Sequence, residues 1–280
     1  MGGWGPILIV GVLSGAVLDA RAEDASSPNL TSSNITSPDI TSPCGAEAVP
    51  AGRVSRVVDG RSFMLNDGRE IRLASLAAPP AEASAAGQTA RAALAAMLTG
   101  ETVALRRAAV APDRYGRLVA YAFTASDIQP RSVVHAMLAA GQARLGPEAG
   151  DPACAAELLS RERSARIAKL GLWRDPQYGI LSAGDLTGLV AGQGHFAIVE
   201  GKVLSVRESG GTIYVNFGRR WSQALTVTIS KRQERIFSGA GREPKALENR
   251  RLRVRGWIEV RNGPRIEASR PEQIEFVEAN

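Results

Sequence analysis

The sequence predicts a β-rich α+β protein. A five-stranded Greek-key barrel of the OB type, with helices, is followed by a second, smaller OB-like β domain. Two patterns carry this reading. Between residues 48 and 176, short runs of β-branched and aromatic residues are interleaved with helical periodicities. From residue 195 onward, three strand-like runs, a short helical stretch and two more strand-like runs follow, again in OB order.

In the first region, Val54, Val57 and Val58, then Phe63 and Leu65, then Ile71 and Leu73 make short apolar runs. Asn66-Asp67-Gly68 turns the chain between the last two. From Ala86 to Leu98 the apolar residues Ala90, Leu94, Met97 and Leu98 fall at helical spacing, and Gly100 stops the helix. Strands follow at Val103–Arg107 and Leu118–Phe123, then a short helix from Ser132 to Ala140 that ends at Gly141. The last helix starts at Asp151-Pro152, a capping residue followed by a residue suited to the first turn, and runs to Lys169. Residues 177–194 are Gly-rich and aperiodic and read as a linker. Beyond them come alternating strands at Phe196–Val206, Thr212–Phe217 and Leu225–Ile229. A helical stretch at Lys231–Phe237 precedes a hairpin of Leu252–Val260 and Pro264–Ala268 around Asn262-Gly263.

The N-terminus reads as an export signal over residues 1–22. An apolar stretch from Trp4 to Leu18, short for a membrane span, precedes the small-x-small site Ala20-Arg21-Ala22. It lacks Lys and Arg before the apolar stretch, and the alternative is an uncleaved anchor. Residues 23–47 form a Ser/Thr/Pro-rich linker with sequons at Asn29 and Asn34. After signal cleavage no stable span is expected, and the chain is placed in the periplasm or outside the cell. In such a compartment Cys44 and Cys154 read as one disulfide; were the signal reading wrong, they would be two free thiols. Two cysteines and the distant His135 and His195 exclude a zinc finger or ribbon. The net charge of +6 favours anionic partners, nucleic acid among them, without requiring one.

Val57-Val58-Asp59-Gly60-Arg61-Ser62-Phe63, Arg72-Leu73, Ala77-Ala78-Pro79-Pro80, Asp113-Arg114-Tyr115-Gly116-Arg117 and Gly171-Leu172-Trp173 occur in that order. Together they resemble the staphylococcal nuclease-like (thermonuclease) family, whose text is close to VVDGDTF, RLxGIDAPE, DRYGR and ExxARxxxxGLW. The resemblance covers roughly residues 50–175 and implies an OB barrel that hydrolyses DNA or RNA with calcium. It also implies two metal-binding aspartates, a glutamate as general base and two phosphate-clamping arginines.

Matched position by position, the two arginines are Arg72 and Arg117. One metal-binding aspartate is replaced by Arg61, the other by Ala77, and the glutamate by Pro80. A hard cation needs anionic oxygens, so no metal or other cofactor is expected. Three guanidinium groups, Arg61, Arg72 and Arg117, would instead bind a phosphate directly. A fold role is the alternative for the last two, each pairing with Asp113 or Asp59. Glu82, or failing that Glu70, is the candidate substitute base. Tyr115 and Tyr121 are either stacking or packing residues. Glu162 and Arg166 suit an intrahelical ion pair.

In the second region, Arg251, Arg253 and Arg255 alternate onto one face of a strand. With Arg219, Arg220, Trp221 and Tyr214 they make either a nucleic-acid groove or a solvated, charge-guarded edge. The expected function is binding of nucleic acid or another polyanion without efficient catalysis. The alternatives are an active phosphodiesterase with relocated carboxylates and an envelope protein-interaction scaffold.

Overall fold

A computed structural model of the chain describes residues 1–2, 42–124, 130–148 and 152–277. The signal segment beyond residue 2, the linker up to residue 41 with both sequons, and the cap Asp151 lie outside the described residues. The described residues from 42 onward form one compact unit.

The first barrel begins with β1 (Glu47–Asp59), β2 (Ser62–Leu65) and β3 (Glu70–Leu73), paired antiparallel in sequence. β1 is long enough to serve two neighbours because register shifts at Val49/Gly52, Val54/Arg56 and Val57/Asp59 bend it. At Gly52 the Leu65 side chain lies close over the bend: an added Cβ would meet its Cδ1 at 2.7 Å. A short β4 (Leu76–Ala77) precedes α1 (Ala85–Leu98). The Ser84 hydroxyl accepts the Gly87 N–H and caps α1, and Ala90, Leu94 and Leu98 are buried against the barrel.

β5 (Thr102–Arg107) pairs with the first part of β1, and β6 (Leu118–Thr124) pairs antiparallel with β5 and parallel with β3. That last pairing closes the barrel in the order β1-β2-β3-β6-β5, the OB order. Next come β7 (Arg131–Ser132), α2 (Val133–Ala139), β8 (Arg144–Leu145) and α3 (Pro152–Ile167). Phe63, Ile71, Leu73, Leu94, Leu105, Phe123, Met137 and Leu138 fill a single core. Cys44 and Cys154 form a disulfide that ties the N-terminal arm to α3.

The stretch expected to be a linker is structured. β9 (Ile180–Ser182) pairs parallel with β10 (Phe196–Lys202), and α4 (Leu186–Ala191) lies between them. Asp185 caps α4 by accepting the Gly188 N–H, and Leu189 is buried in the second core. Its elements are too short and too rich in glycine to show a period; tertiary contacts hold them.

The remaining strands are β11 (Ser205–Ser209), β12 (Thr212–Asn216) and β13 (Thr226–Ser230), then α5 (Glu234–Gly239), β14 (Arg251–Val260), β15 (Pro264–Glu267) and β16 (Ile274–Phe276). β10 and β11 are two halves of one strand broken at Val203-Leu204. The first half pairs with β14 and the second with β12. β13 runs parallel to β15, which is antiparallel to β14. The order β11-β12-β13-β15-β14-β10 is the same OB closure, with α5 where the first barrel has α1.

Candidate anion-binding site

The site is assembled from the β1–β2 turn, β3 and the loop before β6. Asp59 Oδ1 accepts the Arg61 N–H at 2.8 Å, which tightens the turn. The Arg61 carbonyl accepts the Leu73 N–H at 2.7 Å, tying that turn to β3. Arg72 sits directly across from Ser62, so the two side chains share a face, opposite to that of Phe63 and Ile71. Arg117 enters just ahead of β6, whose Val119 aligns with Arg72.

Asp113 organises the loop. Its carboxylate accepts the Tyr115 and Arg117 backbone N–H groups at 2.9 and 3.1 Å and the Arg117 Nε–H at 2.9 Å. The Arg117 Nη2 lies 2.8 Å away. Burial alone would raise the Asp113 carboxyl. The Arg117 guanidinium and the two backbone donors outweigh burial and hold it below the usual carboxylate range. For Arg117 the opposite holds: burial would lower it, and the Asp113 bond keeps it raised. The Arg117 guanidinium also lies 4.9 Å from the Tyr115 ring centroid, with Arg114 5.1 Å from the same ring.

The other two arginines are less well matched. Among the described residues Arg72 has only loose ion pairs, 3.9 Å to Asp113 and 3.6 Å to the exposed Glu148, and its buried Nε has no hydrogen-bond partner there. Among the described residues the Arg61 guanidinium makes no hydrogen bond and no ion pair within 4.0 Å, yet it is largely buried. Burial first, then the charges of Arg72 and Arg117, lower its pKa; Asp59 and Glu148 oppose this in part. The three cations thus lie within electrostatic reach of one another. Ser62 Oγ, on the Arg72 face, is wholly buried and likewise without a partner.

The other sequence candidates fall in different places. Glu82 is exposed in the loop before α1 and pairs with none of the three arginines. Glu70, half-buried at the start of β3, is near enough to Arg117 to help raise its pKa. Tyr115 is exposed, whereas Tyr121 is buried and hydrogen-bonded to Ser75 at 2.7 Å, a packing residue. Ala77 pairs with Arg144 in the β4–β8 ribbon, and Pro80 is exposed. These residues do not fit a calcium ion. Asp113 already accepts from four N–H donors or their equivalents, Asp59 holds its turn, and Arg61 brings a positive charge.

The second-barrel arginines do not make an open groove. Arg251 and Arg253 bind Glu200 at 2.8 and 2.7 Å, and Arg253 also lies 3.7 Å from Glu275. Arg255 is wholly buried. It donates to Glu162 of α3 at 2.9 Å, to the Leu145 carbonyl at 2.9 Å and to Glu275. Burial would lower the pKa of Arg255, but Glu162 and Glu275 raise it far above the ordinary value. Of the two readings of this face, the geometry fits the charge-guarded edge better than a groove: Arg251 stays exposed beside Glu200, and Arg255 is buried against Glu162 of the first barrel.

Glu162 is more than an intrahelical partner. Its pair with Arg166 is 3.6 Å long, while it also accepts the Leu145 N–H at 2.7 Å and binds Arg255. Around this network, Arg144 donates to the Phe196 carbonyl at 2.8 Å between the Tyr178 and Phe196 rings, and burial lowers it to about 10. Trp221, Arg219 and Arg220 are exposed, and Tyr214 is half-buried on the outer face of β12.

Barrel, loop and arginine placement define the class, and the comparisons agree. The staphylococcal nuclease homologue family matches residues 70–175. Protein ParB of Escherichia coli is 35% identical over 136 residues, covering 45% of this chain and 73% of that protein. The chain belongs to the staphylococcal nuclease homologue family. Among the described residues no helix is long and apolar enough to cross a membrane.

Proposed function

We propose that the first barrel binds a phosphate group of nucleic acid, or of another polyanion, through Arg61, Arg72 and Arg117, without calcium and without efficient hydrolysis. One observation carries the reading: Arg61 is a largely buried cation with no ion-pair partner among the described residues, and it feels the charges of Arg72 and Arg117. Like charges a few ångströms apart cost roughly 1–4 kcal/mol. An oxyanion entering between them removes that cost and gains charge-assisted hydrogen bonds. The unpartnered Arg72 Nε and Ser62 Oγ offer further donors on the same face.

Hydrolysis lacks its base. Pro80 stands where the resemblance implies a glutamate, and loss of a general base alone costs about 10²–10⁴ in rate. A second reading, an active phosphodiesterase with a relocated carboxylate, is favoured by one electrostatic effect only. Glu70, rather than the exposed Glu82, lies near Arg117. The disulfide fits an exported protein working in an oxidising compartment.

The test incubates the chain with labelled single-stranded and duplex DNA in calcium and in EDTA, beside an Arg72→Ala variant. Binding that weakens steeply with salt and with Arg72→Ala, with no cleavage in either buffer, supports the proposal. Calcium-dependent cleavage lost in Arg72→Ala would sink it in favour of the second reading.

A further inference from the structure

Spacing excludes a zinc finger, but the fold gathers ligating side chains that are distant in sequence. Cys44, His135 and Glu157 each place one ligating atom within 4.8 Å of the others. Cys154, bonded to Cys44, lies three residues before Glu157 on α3, so both side chains share one helix face. His135 comes from α2; its Nδ1 is 3.4 Å from Glu157 Oε1. Its Nε2 is buried with no hydrogen-bond partner among the described residues. A buried polar atom left unmatched carries a desolvation cost, so this imidazole is not fully satisfied by the protein around it.

We propose that, once a dithiol reductant has opened the Cys44–Cys154 bond, Cys44, Cys154, His135 and Glu157 bind one zinc ion or a similar thiophilic divalent cation. Two thiolates, an imidazole and a carboxylate are ordinary ligands for a tetrahedral zinc site. The steps balance. The disulfide takes two electrons and two protons from the dithiol, which leaves as a disulfide. The two protein thiols then release their protons to solvent as the metal binds. Two thiolates and one carboxylate over-neutralise the ion by one charge, and Arg161, 3.9 Å from Glu157, offsets it. Tyr121 Oη, 3.5 Å from Cys154 Sγ, is placed to donate to that sulfur.

The arm that carries Cys44 is held without the bond. Arg106 donates to the Ser42 carbonyl at 2.8 Å and the Ala46 N–H bonds Arg107 O at 3.3 Å. Gly45 lies so close beneath Arg106 that an added Cβ would sit 2.7 Å from Arg106 Cβ. Reduction therefore leaves Cys44 near Cys154, and the sulfurs need only separate to the roughly 3.8 Å that a tetrahedral zinc with Zn–S of about 2.3 Å requires. Disulfide and metal are mutually exclusive staples for the same arm and helix.

The experiment takes the full chain, oxidised or reduced and freed of reductant under argon, and titrates it with Zn²⁺ alone and with Co²⁺ as a spectroscopic probe. The reduced chain should bind one equivalent, with a sulfur-to-cobalt charge-transfer band, and the oxidised chain none. His135→Ala and Glu157→Gln, each checked for folding in the oxidised form, should weaken binding about tenfold or more. If the reduced chain is unfolded, zinc should restore its circular dichroism. A reduced chain that binds no more zinc than the oxidised one, that is not refolded by it, or that binds it equally well without His135, overturns the proposal.

Discussion

Two barrels of the same strand order lie in this chain, each closed by a parallel pairing of its third and fifth strands. Both are rich in arginine, and they use it in opposite ways. In the second, Arg251, Arg253 and Arg255 are each met by Glu200, Glu275 or Glu162. In the first, Asp113 satisfies Arg117, while among the described residues Arg72 has only loose pairs and Arg61 none. A positive patch by itself therefore says little about binding. What separates a candidate site from an architectural joint is whether carboxylates lie within reach of each cation.

The largest expected effect lies in the joint. Arg255→Ala leaves the buried Glu162 and Glu275 with only their looser partners Arg166 and Arg253, and should cost about 3–5 kcal/mol in denaturant unfolding. A loss under 1 kcal/mol would mean that the network is not what holds the barrels together. In the first barrel the sign differs. Arg61→Ala should weaken DNA binding about 10–100-fold, the loss of one or two charge-assisted bonds. The same change should leave the fold unharmed or raise its stability by about 0.5 kcal/mol, because it relieves like-charge crowding. A variant that loses binding and stability together would make Arg61 architectural, like Arg255.

Acid separates the regions less sharply. Asp113, Glu200 and Glu275 are all held below their ordinary values in the folded state. Carboxyls lowered on folding stabilise the fold fully above their unfolded pKa values of about 3.9 to 4.3, and that contribution disappears as pH falls through the folded values. Burial lowers His135 too, so stability should fall slightly as pH drops below the unfolded imidazole value of about 6.5, and more steeply below about pH 4.5 as the carboxyls protonate. Asp113→Asn should make that acid limb shallower, as followed by unfolding at a series of pH values. The smallest effect belongs to the exposed Lys231, paired with Glu208 and Glu234; Lys231→Ala should leave stability almost unchanged, because solvent screens both pairs.

Much of the fold was legible because strands such as β3, β5 and β12 alternate and the breaks carry turn residues, as at Gly68 and Gly100. Residues 177–194 were not legible, because β9 and α4 are defined by Leu181 and Leu189 entering a core built elsewhere. In the site, Arg61, Arg72 and Arg117 could be named from the motifs, and Asp113 from its place beside Arg117. Glu148, in an irregular stretch, and Ser62, whose burial depends on the barrel wall, carried no local signal. The fate of Arg255 was hidden for a related reason. Alternation tells which way a side chain faces but not what stands there, and Glu162 is 93 residues away in sequence.

Helix α3 has one end at the disulfide, through Cys154, and the other at the joint, through Glu162 and Ala165. The first barrel's own helix is therefore half of the second barrel's foundation. A chain cut after residue 176 would strip Glu162 of Arg255, expose Trp173 and Ala165 where Phe196 and Ile198 had covered them, and leave Arg144 without the Phe196 carbonyl. The nuclease-homologue barrel has the topology of a domain but not its independence, and melting should show one cooperative transition for both barrels.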